Sequence, residues 1–224
     1  MLTFSYARTE ITLIVLVGGA ATAVGAYWLH GWALIPLLLT LALLSFYRDP
    51  PRRPPPDDDL ILAPADGKVV EVTRGVGGDD GGGSVLRIMI FLAVHNVHVN
   101  RSPCAGRVTE VTHRRGEFVN ALKADADVRN ECHQITLTPR PPLPGPIGVR
   151  QIAGVLARRI VCTARTGDEL HAGQRFGMIK LGSRTEVCLP EDARWQVCVT
   201  VGDRVKAGRT VLARFDSGAR KEGV

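Results

Sequence analysis

The chain has 224 residues, 45% of them hydrophobic, 22% charged and only 5% aromatic, with a formal net charge of +6. That much apolar material excludes a wholly disordered chain, and a run of 37 residues from 11 to 47 without Asp, Glu, Lys or Arg excludes a simple soluble globule. Residues 150–224 hold fourteen Lys/Arg against eight Asp/Glu, which suits an anionic membrane surface better than nucleic acid, since stacking aromatics are scarce.

As one helix the 37-residue run would extend roughly 55 Å, against about 30 Å of hydrocarbon in a bilayer. Two helices, 11–29 and 33–47, turning at His30-Gly31, fit better and make residues 1–48 a membrane-anchoring transmembrane hairpin. The second is short and carries Pro36, so a re-entrant or tilted helix is also open. A cleaved signal peptide ending near Ala21-Thr22-Ala23 is the rival; Arg8 offset by Glu10, and a second apolar stretch, speak against it. Arg48, Arg52 and Arg53 then hold the following domain on the cytoplasmic side of the inner membrane.

Residues 49–59 contain five prolines and form an extended linker. Three arginines and four aspartates across 48–59 leave a local charge of −1, so the linker is no polybasic lipid anchor. From residue 60 to 224 the grain changes to β-branched runs separated by Gly, Pro and Asp: 68–73, 85–92, 107–112, 134–138, 147–153, 159–164, 185–189 and 195–201. Helical material is confined to about 118–126. The Gly-rich stretch 74–84 lacks the Lys-Ser/Thr of a phosphate loop and reads as a hairpin loop, and 139–146 is a second surface loop. Cysteines 104, 132, 162, 188 and 198 form no CxxC pair and read as reduced thiols, with no disulfide framework and no metal site.

Two echoes point to a duplicated β sandwich or barrel of biotinyl/lipoyl-carrier style. Residues 64–72 match 103–111 at Pro, Gly, Val, Glu and Val, and 167–173 match 202–208 around Gly-Asp and Ala-Gly. Asp66 is replaced by Ala105 in its echo, so it is either a turn aspartate or a carboxylate kept for chemistry. His95 and His98 lie three apart in an apolar run; in a regular strand they would face opposite sides, and only a turn or bulge at Asn96 would alter that. Neither has a Cys/His/Asp cluster at metal-ligand spacing.

The segment Leu181-Gly182-Ser183-Arg184 completes a set that resembles the phosphatidylserine decarboxylases, in their short membrane-anchored bacterial form. The other members of the set are Tyr47-Arg48-Asp49-Pro50, Ala63-Pro64-Ala65-Asp66-Gly67, His95-Asn96-Val97-His98, Arg129-Asn130-Glu131 and Gly148–Gly154 with Ala157–Ile160. The resemblance covers about residues 46–215, and Gly-Ser-Arg stands where the long-form enzymes carry Gly-Ser-Thr. It implies that Ser183 Oγ attacks the Gly182 carbonyl, with His98 as base and Asp66 orienting it. The chain is then cut between Gly182 and Ser183, and the new N-terminus becomes a covalent pyruvoyl group, the only cofactor implied. That group would form a Schiff base with the amine of phosphatidylserine and drive decarboxylation to phosphatidylethanolamine, with His95 as proton donor. Residues 1–182 and 183–224 would stay associated. The Arg129-Asn130-Glu131 motif is given no catalytic role. The alternatives are an inactive membrane homologue and a biotinyl/lipoyl-like carrier, for which Lys180 is the nearest candidate lysine. Self-association into a homo-oligomer is left open.

Overall fold

Two apolar helices make up the first of the two units into which the chain divides, Met1–Pro51; the second is Arg52–Val224. The structure is a computed structural model and describes residues 3–77, 83–121, 125–155, 159–180 and 183–218. Helix α1 (Phe4–Leu29) and helix α2 (Leu34–Phe46) are joined by a 3-10 turn at His30–Ala33, where the sequence predicted the reversal. Pro36 lies in the first turn of α2, where backbone N–H groups have no intrahelical acceptor, so its ring removes no bond. The helices cross closely at Gly18, where any Cβ would collide with Thr40. The Thr3 amide and hydroxyl both donate to the Tyr47 carbonyl, at 2.8 and 2.6 Å, and close the open end of the hairpin. Tyr6–Trp28 is long and apolar enough to cross a membrane, whereas Leu34–Phe46 is shorter.

The second unit is mainly β. Its strands in chain order are β1 (Leu60–Leu62), β2 (Gly67–Gly77), β3 (Ser84–Leu92), β4 (Val99–Arg101), β5 (Gly106–Arg114), β6 (Cys132–Pro139) and β7 (Ile147–Ile152). After them come β8 (Ile160–Cys162), β9 (Glu169–Leu170), β10 (Arg175–Ile179), β11 (Ser183–Pro190), β12 (Trp195–Val197), β13 (Arg204–Val205) and β14 (Val211–Phe215). Every predicted strand run has its counterpart. Alternating residues of the longer strands, such as Ile88, Ile90 and Leu92 of β3 with Val187 and Leu189 of β11, fill one continuous apolar core.

The duplication takes a specific form. The large sheet runs β13-β2-β3-β11-β7-β6-β5-β9, and two small sheets run β1-β14-β12 and β4-β10-β8. Replacing β1, β2, β3, β11, β12, β13 and β14 by β4 through β10 in order reproduces the same pattern. The second copy is thus inserted whole between β3 and β11 of the first. Backbone pairing repeats as well: Val69 N–H donates to Asp203 O at 2.9 Å, and its echo Val108 N–H donates to Asp168 O at 2.8 Å. Gly67 and Gly106 open the echoed strands because a Cβ at either would strike the neighbouring strand's carbonyl, Phe91 O or Thr138 O.

One expectation is corrected. Among the described residues of 118–126, Phe118–Asn120 are not helical, and the only turn of helix nearby is α3 (Ala126–Arg129). The reason is Asn130. Its amide oxygen accepts from Val119 N–H at 2.8 Å, and its amide nitrogen donates to Val119 O at 2.8 Å and to Ala153 O at 2.7 Å. Both polar groups of the Val119 backbone are thereby taken, which holds this stretch extended against β7. The Asn of Arg129-Asn130-Glu131 is a buried clamp.

Candidate active site

Ser183 opens β11, a strand at the centre of the large sheet. Its backbone pairs with Leu92 of β3, and the next residue, Arg184, pairs with both Phe91 of β3 and Ile152 of β7. Ser183 is fully buried, and its Oγ has no hydrogen-bond partner among the described residues. A buried hydroxyl without a partner costs about 1–3 kcal/mol, so its retention in a packed core calls for an explanation. Gly182, the other half of the expected cut, lies outside the described residues.

His98 is brought to the same place by β4. The Asn96 amide donates to the Ala93 carbonyl at 2.9 Å, and the Asn96 side-chain oxygen accepts from Ala93 N–H at 2.9 Å. A turn is thus present at Asn96, yet it does not bring both histidines into one buried pocket. It leaves His95 exposed and His98 buried. The His98 Nδ1 lies 2.9 Å from the Asn96 carbonyl oxygen. A carbonyl only accepts, so Nδ1 carries the proton in this contact.

A side-chain contact links the segments that carry His98 and Ser183. Asn100 donates through Nδ2 to Thr185 Oγ1 at 3.3 Å, and accepts from Gln151 Nε2 at 2.8 Å. Two residues back along each chain stand His98, just before β4, and Ser183, the first residue of β11. All five side chains are buried. Asn100, Thr185 and Gln151 went unremarked in the sequence, although Gln151 lies within the Gly148–Gly154 motif and Asn100 shares the two-residue alternation of His98.

Asp66 is differently engaged. One carboxylate oxygen accepts from Ala207 N–H and the other from the Arg52 guanidinium, each at 2.8 Å. The ion pair is largely buried, with 8% and 11% of the two side chains exposed. The echo position, Ala105, carries no such pair.

The opposite face of β11 carries charge that the sequence reading did not detect. Glu186 is fully buried between Arg184 at 2.8 Å and Arg150 at 3.2 Å. Arg184 also donates to the Ala121 carbonyl at 3.2 Å, and Arg87 meets Asp127 at 3.5 Å. Burial raises the Glu186 pKa, and the Arg184, Arg150 and Arg87 charges oppose that rise. None of the five cysteines is in a disulfide, and burial pushes the Cys104 thiol up to about 12. Among the described residues no three His, Cys, Asp or Glu side chains gather as a metal site.

A buried serine heads a central strand of a duplicated β fold, and a buried histidine stands two residues from the side chain that reaches that strand through Thr185. Residues 39–213 match the phosphatidylserine decarboxylase family model. The chain is 44% identical over 211 residues to the phosphatidylserine decarboxylase proenzyme of Rhodopirellula baltica, covering 93% of this chain and 85% of that one. The chain belongs to the phosphatidylserine decarboxylase family, as its motifs suggested.

Proposed function

We propose that this protein decarboxylates phosphatidylserine to phosphatidylethanolamine, using a pyruvoyl group made from its own Ser183. The observation that carries the reading is the buried Ser183 hydroxyl, without a described hydrogen-bond partner, on the strand that Asn100, two residues after buried His98, reaches through Thr185. The word proenzyme in the relative's name agrees with processing.

In this reading His98 Nε2 takes the Ser183 proton as Oγ adds to the preceding carbonyl, and the chain shifts from amide to ester. Loss of the Ser183 α-proton then expels residues 1–182 as a carboxylate and leaves residues 183–224 with a dehydroalanine end, which hydrolyses to the ketone and ammonia. The residues present suit such a group: the end of β11 is buried, and β3 and β7 fix the backbone on both sides. When formed, the group supplies the electron sink that loss of CO₂ from an amino acid needs. His95, exposed on the 93–96 turn, returns a proton to the substrate carbon. Asp66 anchors the start of β2 through Ala207 and Arg52 and so positions the strands that frame His98.

The helices of residues 4–46 would anchor the chain, and Arg48, Arg52 and Arg53 favour a cytoplasmic catalytic unit at the inner membrane. The carrier alternative is disfavoured by Lys180, which is buried where a carrier lysine must be exposed. Intact-protein mass spectrometry tests the proposal. Purified protein should appear as residues 1–182 plus a 42-residue chain from 183 to 224, blocked at its N-terminus. A decarboxylase made of one uncut chain would overturn it, and Ser183→Ala should stay whole and inactive.

A further inference from the structure

Several loops leave the large sheet at the end where Ser183 stands. Leu92 pairs with Ser183, Arg184 with Ile152, Ile152 with Cys132 and Cys132 with Arg114. The segments after β3, after β7 and between β5 and β6 therefore emerge together around the buried serine. After β3 stands Val94 (51% exposed), after β7 Val155 (55%), and between β5 and β6 both Phe118 (38%) and, on α3, Val128 (68%). Exposed Arg115 and Arg159 lie on two of the same segments. Among the described residues of the second unit, the one other exposed large apolar side chain is Val201, in the turn before β13. Single exposed valines are ordinary on protein surfaces. At least one on each of three loops around one buried serine is an arrangement.

We propose that this rim is the face by which the catalytic unit docks on a glycerophospholipid surface, with Val94, Phe118 and Val155 entering the interface and Arg115 and Arg159 meeting lipid phosphates. The inference rests on the lipid substrate proposed above. A headgroup carboxylate must reach a fully buried residue while its acyl chains stay in hydrocarbon, so the loops around Ser183 are those the bilayer must touch. Apolar tips beside cations match the layered chemistry of that interface, with hydrocarbon below and phosphate above. A second copy of the chain, the other occupant an apolar rim could take, offers no reason for the rim to encircle the nucleophile.

The test compares two substrates with the full-length protein. The triple variant V94S/F118S/V155S should still cut itself, and should turn over monomeric short-chain phosphatidylserine within about twofold of wild type. On vesicles of phosphatidylserine and phosphatidylcholine its KM should rise roughly tenfold with kcat little changed, as expected from losing three buried apolar contacts. V201S should match wild type on both. If the triple variant fails to mature, V155S alone should show the same split in smaller measure. Unchanged vesicle kinetics, an equal loss on both substrates, or a shift in oligomeric mass with vesicle kinetics intact would each overturn the docking face. Wild type inactive on both lipids would instead overturn the reading of the activity, and the docking face with it.

Discussion

The carbonyl of His98 accepts the amide hydrogen of Ile179 at 3.2 Å, which ties the backbone of the proposed base to the chain four residues before the proposed nucleophile. That bond extends the pairing of β4 with β10 by one residue on each side, up to His98. His98→Ala should abolish self-cleavage or slow it at least a hundredfold, the usual worth of a positioned base. His95→Ala should cut normally and decarboxylate poorly. A gel time course of processing, followed by assay of the processed fraction, separates the two; the opposite pattern would exchange their roles.

Asp66 and Arg52 should be energetically coupled. Removing one partner of a largely buried ion pair costs about 3–5 kcal/mol, so Asp66→Asn and Arg52→Ala should each lower the melting temperature. The double variant should lose less than the sum. Cleavage rates carry the further information: slow processing in Asp66→Asn beside normal processing in Arg52→Ala would mean that the carboxylate acts on the site itself, beyond holding β2.

Asn130→Ala removes three hydrogen bonds to backbone groups of Val119 and Ala153. At about 1 kcal/mol each, the loss is roughly 3 kcal/mol, or a fall of about 6–12 °C in Tm for a chain of this size. Asn130→Asp keeps only the acceptor and should lie near the alanine variant. Scanning calorimetry of the detergent-solubilised protein reads both.

His133 is half-buried and stacked on His113, ring centroids 5.6 Å apart. Burial and the neighbouring imidazole hold its pKa below the ordinary value. The unfolded chain therefore takes up the proton first as pH falls, so the stability from the neutral ring is present above the ordinary histidine range and is lost as pH drops through it. His133→Gln should show a smaller fall in Tm than wild type between about pH 7.5 and 5.5.

Much of the fold could be read because its signals are local. The echo at Pro64 and Pro103 marks places where the chain passes so close to a neighbour that only glycine fits three residues on, and such demands write themselves into composition. The hairpin turn between the two apolar helices was legible for a similar reason. Strands of two or three residues, such as Glu169–Leu170 and Arg204–Val205, are too short for alternation to register. The stretch near Phe118 was misread because its conformation is dictated by a side chain eleven residues away from Val119. In the site, Ser183, His98 and Asp66 came from motif resemblance, whereas Asn100, Gln151 and Glu186 matter through contacts 36 to 85 positions apart in the chain.

The nested duplication gives the proposed cut an unusual location. Ser183 marks the point where the inserted copy ends and the interrupted copy resumes. A break there would leave residues 183–224 supplying a central strand to one sheet and two of the three strands, β12 and β14, of another. The fragment would have no fold of its own to retreat into. Folding would become a one-time event: a single chain assembles the sheet, and once severed, two separated pieces could regain it only by meeting in solution, at a rate set by their concentration. Maturation would act as a ratchet, in which the uncut chain serves as its own assembly template and the finished enzyme persists by the slowness of its unfolding.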